Sequence, residues 1–248
     1  MKLCLDAGNS RLKWGLYEGT RWQTQGVCAY PQLEAFAPPR PSSMIACNVA
    51  GPAVATAIEA LAARLVVPLR WFRGDTVVPG LLNGYASPAR LGADRWAALA
   101  GARRLHVGAA VVVMAGTATT VDALDAEGHF LGGLILPGLE LMRTALARHT
   151  ADLPEAQGLR RDFPDNTDDA IVSGCLEATL GAIERMAQRL KSRPASDRRE
   201  SSWDVDFCCL LSGGAAPALL PHLSGRVRHV ENLVLEGLAA SAVQNDLL

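Results

Sequence analysis

Short apolar runs bounded by glycine and polar turns alternate along this chain with longer stretches of helical apolar spacing. The first kind predicts strands and the second helices. Residues 2–6 and 11–17 read as a hairpin closed by Gly8, Asn9 and Ser10, and residues 21–27 as a third strand. Pro38, Pro39 and Pro41 interrupt the chain before a short strand at 43–49, with Asn48 near its end. Residues 53–65 carry Val54, Ala57, Ile58, Leu61 and Leu65 at helical spacing. Residues 80–91, with Gly80, Gly84 and Pro88, are irregular, and an alanine-rich helix follows to about Leu105.

Gly108 opens a second round of the same pattern. Residues 109–114 and 119–124 predict a hairpin, Glu127-Gly128 a turn, and 129–136 a third strand. Pro137-Gly138 leads into a helix with Leu139, Met142 and Leu146 on one side. A proline-rich, charged loop at 150–166 precedes a long helix at 168–190, whose Ile171, Cys175, Ile183, Met186 and Leu190 suit a buried stripe. A strand at 206–211 ends in Ser212-Gly213-Gly214, and 234–243 predicts a closing helix. Both halves share one order of elements. A duplicated mixed α/β domain therefore fits better than a doubly wound parallel sheet. The boundary is expected at 106/107, giving domains 1–106 and 107–248.

The repeated hairpins carry the chemistry. Asp6-Ala7-Gly8-Asn9-Ser10-Arg11-Leu12-Lys13 in the first corresponds to Met114-Ala115-Gly116-Thr117-Ala118 in the second, about a hundred residues later. Gly8 is expected to permit a tight turn whose backbone N–H groups face an anion. Asn9 and Ser10 add donors, and Lys13 stands on the returning strand. Asp6 ends an apolar strand, where a carboxylate is costly unless it meets a metal or hydrogen-bond donors. An ordinary Gly-Asn hairpin turn and a threonine-rich strand explain the two copies equally well when each is taken alone. Their repetition favours function. Ser212-Gly213-Gly214 is a third glycine turn at a strand end.

The bulk composition excludes several classes. The net charge is −1 over 248 residues, so no basic field for nucleic acid exists. Arg198-Arg199, within 191–202, reads as part of a solvated loop. Six cysteines stand without CxxC or Cys/His spacing and read as buried, reduced thiols. An N-terminal strand carrying the first motif argues against a cleaved signal peptide, and no apolar run reaches the roughly 20 residues of a membrane span. A soluble cytoplasmic protein is expected. Neither a P-loop nor a Rossmann glycine fingerprint occurs.

The three glycine turns, in this order, resemble the phosphate-1, phosphate-2 and adenosine motifs of the actin-like nucleotide-binding superfamily. Asn83-Gly84-Tyr85 with Gly92-Ala93-Asp94-Arg95, Gly132-Gly133-Leu134-Ile135-Leu136-Pro137-Gly138, and Thr167 ahead of Gly174 narrow the resemblance to type III pantothenate kinases. That resemblance implies two actin-like (ribonuclease H-like) domains, each a mixed sheet flanked by helices, with a nucleotide cleft between them. It implies ATP-dependent phosphorylation of pantothenate to 4′-phosphopantothenate, the first step of coenzyme A biosynthesis, by a homodimer.

By the same resemblance Asp94 is the general base. Arg95, Tyr85, Gly92, Ala93 and Thr167 bind pantothenate, and Asp6 holds Mg²⁺ through water. Residues Ala7 to Lys13 with Gly116, Thr117 and Ala118 bind the ATP phosphates, while Ser212, Gly213 and Gly214 border the adenosine. The bland readings stay open: Asp94 as a helix N-cap, Arg95 as a surface arginine, Tyr85 as loop packing, and Thr167 as a cap. The departure is Met114, where the family has an Asp that serves a monovalent cation, usually K⁺. A thioether does not replace a carboxylate for a hard cation, and Asp122 is the nearest acid along the hairpin. Another phosphotransferase of the superfamily and a catalytically impaired nucleotide-binding regulator are the competing readings.

Overall fold

The computed structural model describes residues 1–193 and 207–244; Arg198-Arg199 and Asp206, the expected start of a strand, lie outside the described residues. The chain divides into two compact units. The first comprises Met1–Val107, Glu127–Phe130 and the chain from Asn232 on, and the second Gly108–Ala126 with Leu131–Glu231.

In the first unit β1 (Lys2–Ala7), β2 (Leu12–Glu18) and β3 (Arg21–Cys28) form an antiparallel meander. Next come β4 (Ser43–Asn48), α1 (Pro52–Leu65) and β5 (Leu69–Trp71), and both strands run parallel to β1 in the sheet order β3-β2-β1-β4-β5. Side chains of a strand alternate between faces. Leu3, Leu5 and Ala7 therefore pack with Met44 and Ala46 against Ile58, Leu61 and Ala62 of α1. Cys4 and Asp6 point to the opposite face. That face is covered by α2 (Ala93–Leu105) and α6 (Leu233–Gln244).

The second unit repeats the plan. Its β7 (Ala110–Ala115), β8 (Ala118–Leu124) and β9 (His129–Pro137) are joined by β10 (Cys208–Ser212) and β11 (Val227–His229), in the order β9-β8-β7-β10-β11. β7 is antiparallel to β8 and parallel to β10, as β1 is to β2 and β4. Val111, Val113, Ala115, Val121 and Ala123 form one face, covered by Leu176, Leu180, Ile183, Met186 and Leu190 of α4 (Thr167–Lys191). α3 (Leu139–His149) and the short α5 (Ala216–Leu219) complete the unit. In the otherwise irregular 80–91 region a two-residue strand, β6 (Leu82–Asn83), pairs with the first residues of β9. All six cysteines are free and buried.

A boundary at 106/107 would place the C-terminal helix with the second domain, but α6 packs on α2 of the first unit. The two helices meet backbone to backbone. A Cβ on Gly237 would lie 1.8 Å from the Ala97 carbonyl oxygen, and one on Gly101 would lie 2.3 Å from that of Leu233. Polar groups lock the crossing. Glu236 accepts a 2.7 Å hydrogen bond from Trp22 Nε1 and pairs with Arg104 at 3.4 Å, and Arg104 also donates to the Tyr17 hydroxyl.

Gly237→Ala is expected to destabilise the protein by at least ~2 kcal/mol, because backbone atoms give way less readily than side chains. Gly181→Ala on α4, where an added Cβ meets nothing within 4 Å, should be neutral or stabilising by up to ~1 kcal/mol. Urea unfolding midpoints of the two variants check the contrast; equal effects would refute the close-crossing account.

Candidate active site

Asp6 is the one acid on β1 and is only 6% exposed. The register sets it between Lys13 on β2 and Cys47 on β4. The Cys47 thiol donates to Asp6 Oδ1 at 3.6 Å. Loss of water dominates the carboxyl's pKa and raises it from 3.8 to about 6; Lys13 and the Cys47 contact pull it down, while Asp94 pushes it up. Asp6 thus lies within electrostatic reach of both Lys13 and Asp94. Cys47 had no signal of its own in the sequence, because only strand pairing across the proline-rich segment brings it beside Asp6.

The turn after Asp6 is held from below. Tyr30 donates its hydroxyl proton to the Gly8 carbonyl, and Val49 N–H bonds the Ala7 carbonyl at 3.0 Å. Asn48 braces its own loop by donating to Gly51 O and accepting from Ala50 N, both at 2.8 Å. Gly8 does not have a positive φ. A Cβ there would meet only Arg11 O, at an ordinary 3.7 Å. Neither the turn nor its neighbours therefore require a glycine. Asn9, Ser10 and Arg11 are exposed, Ala7 and Leu12 are buried, and Lys13 is half-buried.

Asp94 lies in the first turn of α2, whose N-cap is Gly92, so the capping reading of Asp94 does not hold. Its carboxylate accepts the N–H of Arg95 at 2.8 Å. Burial raises its pKa above the ordinary carboxylate value, against the opposing pull of backbone N–H groups and Arg95. Gly92 leaves room beside it, since a Cβ there would stand 2.8 Å from Asp94 Oδ1. Arg95 is not a surface arginine: it is 5% exposed, and its Nη1 donates to the Tyr85 hydroxyl at 2.7 Å. Trp96 Nε1 ties this turn to Thr76 O at 2.7 Å. Phe130, absent from the sequence-derived set, stacks on Tyr85.

In the second unit the matching row is neutral. Met114 is flanked in register by Thr120 and Ser212, where the first unit has Lys13 and Cys47 around Asp6. The buried hydroxyls of Thr119 and Thr120 have no hydrogen-bond partner. Asp122 shares the face of Met114 but stands opposite Val112, farther from the turn. Gly116 N–H bonds Ala118 O at 3.1 Å, and Gly138 N–H bonds Thr117 O at 2.9 Å. A Cβ on Gly138 would lie 2.2 Å from Gly116 O, so the Pro137-Gly138 step supports this turn from beneath. Gly213 has φ +105°, and its Cβ would lie 2.3 Å from Ala115 O, so here glycine is required. Gly214 is exposed beside it.

Thr167 is the first residue of α4, and Asn166, not Thr167, caps that helix by accepting Asp169 N–H at 2.9 Å. Thr167 borders an apolar groove of about 980 Å³ lined by Met142, Leu146, Ile171 and Cys175.

The family model of type III pantothenate kinases matches residues 2–189. A type III pantothenate kinase of Dechloromonas aromatica is 44% identical over 99% of this chain and 100% of the relative. That of Aromatoleum aromaticum is 46% identical over 98% of each. Among solved structures, a Campylobacter jejuni protein assigned to the Baf family of transcriptional activators aligns over 99% of this chain and 100% of its own, at TM-score 0.65 and 20% identity. A Sinorhizobium meliloti protein assigned as a 2-dehydro-3-deoxygalactonokinase aligns over 100% of both chains, at TM-score 0.56 and 14% identity. These two likenesses concern the fold, which is actin-like, with two mixed sheets flanked by helices.

With its pKa raised, Asp6 contributes stability when protonated. That contribution is full below about pH 4 and is lost as pH rises through about 6. In ligand-free protein Asp6→Asn is therefore expected to be more stable than wild type near pH 8, on the order of 1–3 kcal/mol. The gap should close near pH 4. Urea unfolding at the two pH values checks this; a destabilised Asn variant near pH 8 would overturn it.

Proposed function

The chain belongs to the type III pantothenate kinase family, and on that premise we propose how its own residues carry the reaction. It transfers a phosphoryl group from ATP to pantothenate in coenzyme A biosynthesis. The observation that carries the residue assignment is the meeting of Asp6, Lys13 and Asp94 at one end of the first sheet, with Arg95 and Tyr85 bonded beside them.

Asp94 takes the proton from the primary hydroxyl of pantothenate. A carboxylate with a raised pKa is a better base than an ordinary one, and the late proton transfer of a loose phosphoryl transfer asks little more. Its place at a helix N-terminus, with N–H groups on the carboxylate, holds its orientation. Arg95 and Tyr85 bind the carboxylate or amide oxygens of pantothenate, together with Gly92, Ala93 and Thr167.

Residues Ala7 to Lys13 bind ATP phosphate oxygens in the first unit, as do Gly116, Thr117 and Ala118 in the second, while Ser212, Gly213 and Gly214 border adenosine. The freedom of Gly8 from any backbone requirement supports this reading, because a ligand pressed against the turn supplies the missing reason for glycine.

The residues fit Mg²⁺. Asp6 offers a hard oxygen donor whose desolvation a cation would relieve. No cluster of three or more ligating side chains occurs among the described residues, so Asp6 would hold the ion jointly with phosphate oxygens and water. When bound, Mg²⁺ neutralises charge on the transferred group. They do not fit K⁺ at position 114. Met114 and its neighbours Thr120 and Ser212 present a thioether and two hydroxyls with no carboxylate.

A homodimer is supported by the apolar groove along α3 and α4 and by exposed Ile135, Leu141 and Phe163 in the same unit. No helix among the described residues is long and apolar enough to cross a membrane, and a cytoplasmic location accords with the small-molecule substrates.

ADP release is expected to depend on pantothenate. Asp94→Asn should lose at least about 10²-fold in kcat while its ATP affinity, by calorimetry, stays near wild type. Full activity in that variant would remove the base assignment. K⁺ titration of wild type should give a shallow response, and Met114→Asp a steeper one; superimposable curves would reject a role for position 114.

A further inference from the structure

Phe130 stands at the second residue of β9, where the chain pairs with β6, Asn83 opposite Phe130. It is fully buried, and its ring stacks on that of Tyr85 with centroids 5.4 Å apart and planes 27° apart. The Arg95 guanidinium carbon lies 5.6 Å from the Tyr85 centroid and 5.7 Å from that of Phe130. Three groups from three separated segments thus meet as one aromatic–cation cluster, and Arg95 Nη1 adds its bond to the Tyr85 hydroxyl.

The backbone around the cluster is braced. Asn83 accepts Tyr85 N–H at 3.0 Å and donates to Gly74 O at 2.8 Å. Leu82 N–H bonds Gly128 O at 2.9 Å. Gly128 itself has φ +90°, and a Cβ on it would lie 2.0 Å from Gly80 O. This docks the turn ahead of Phe130 onto the loop that carries Tyr85. The two rings stack at a separation that ring quadrupoles favour, and the guanidinium lies within cation–π distance of both.

We propose that Phe130 is a positioning residue for the acceptor side of the reaction: its ring fixes the plane of Tyr85 and the direction of the Arg95 guanidinium, and so sets pantothenate affinity. Arginine side chains lose several rotors on ordering. A ring that holds the guanidinium before substrate arrives removes that loss from the binding step. Among the described residues the ring contacts of Phe130 are with Tyr85 and Arg95, so its effect falls on the acceptor and not on ATP. The inference rests on the assignment of Arg95 and Tyr85 to pantothenate.

The test is steady-state kinetics with both substrates varied, together with pantothenate binding by calorimetry. Phe130→Leu is expected to raise KM and Kd for pantothenate on the order of tenfold, with kcat and KM for ATP within about twofold. Phe130→Tyr, which keeps the ring, should restore wild-type affinity. Phe130→Met supplies the same comparison if the leucine variant fails to fold. Unchanged pantothenate affinity in Phe130→Leu, or an equal loss for both substrates, overturns the proposal. Arg95→Lys separates the two levels. If it leaves pantothenate affinity unchanged, the site assignment itself falls. If it weakens affinity while Phe130→Leu does not, only the positioning role falls.

Discussion

The contact on which the first unit turns is the backbone-to-backbone crossing of α2 and α6. Helices that approach this closely need glycine at the touching positions, and Gly101 and Gly237 supply them. The crossing fixes where α2 lies over the face of β1 and β4 that carries Asp6 and Cys47. It therefore fixes where the first turn of α2 presents Asp94 and Arg95. Glu236, shared by Trp22 and Arg104, extends the same restraint to the hairpin. Chemistry at one end of the sheet thus depends on small residues well inside two helices.

The duplicated plan shows which differences between the halves matter. In each unit the first strand lies between an antiparallel and a parallel neighbour, so its last polar position is flanked by one residue from each. The first unit fills that row with Asp6, Lys13 and Cys47; the second fills it with Met114, Thr120 and Ser212. A buried carboxylate needs a cation and donors around it, and the first row has them. The second row contains no charge and leaves one hydroxyl without a partner. The glycines differ too. Gly213 is demanded by its own backbone, whereas Gly8 is free of any such demand.

Much of the candidate site was legible beforehand because its residues sit in short local patterns. A strand, a glycine turn and a returning strand announce themselves by alternation, and their repetition in the same order carried the family. Local patterns did not separate a cap from a base at Asp94, nor a cap from a substrate contact at Thr167. Both positions adjoin a helix start, where the residue types suited to the two roles overlap. The helix geometry removes the capping reading at both positions by placing the caps at Gly92 and Asn166.

The sequence by itself determined the strand and helix pattern, the internal duplication, the acid on β1 and the missing acid at position 114, since each depends on residue type and near neighbours. Tertiary structure decided the rest. It placed the C-terminal helix in the first unit, set Cys47 against Asp6, and closed Phe130, Tyr85 and Arg95 into one cluster. It also raised the pKa of Asp6 and Asp94 through burial. These outcomes depend on pairings between distant segments and on the exclusion of water, quantities that no local periodicity encodes.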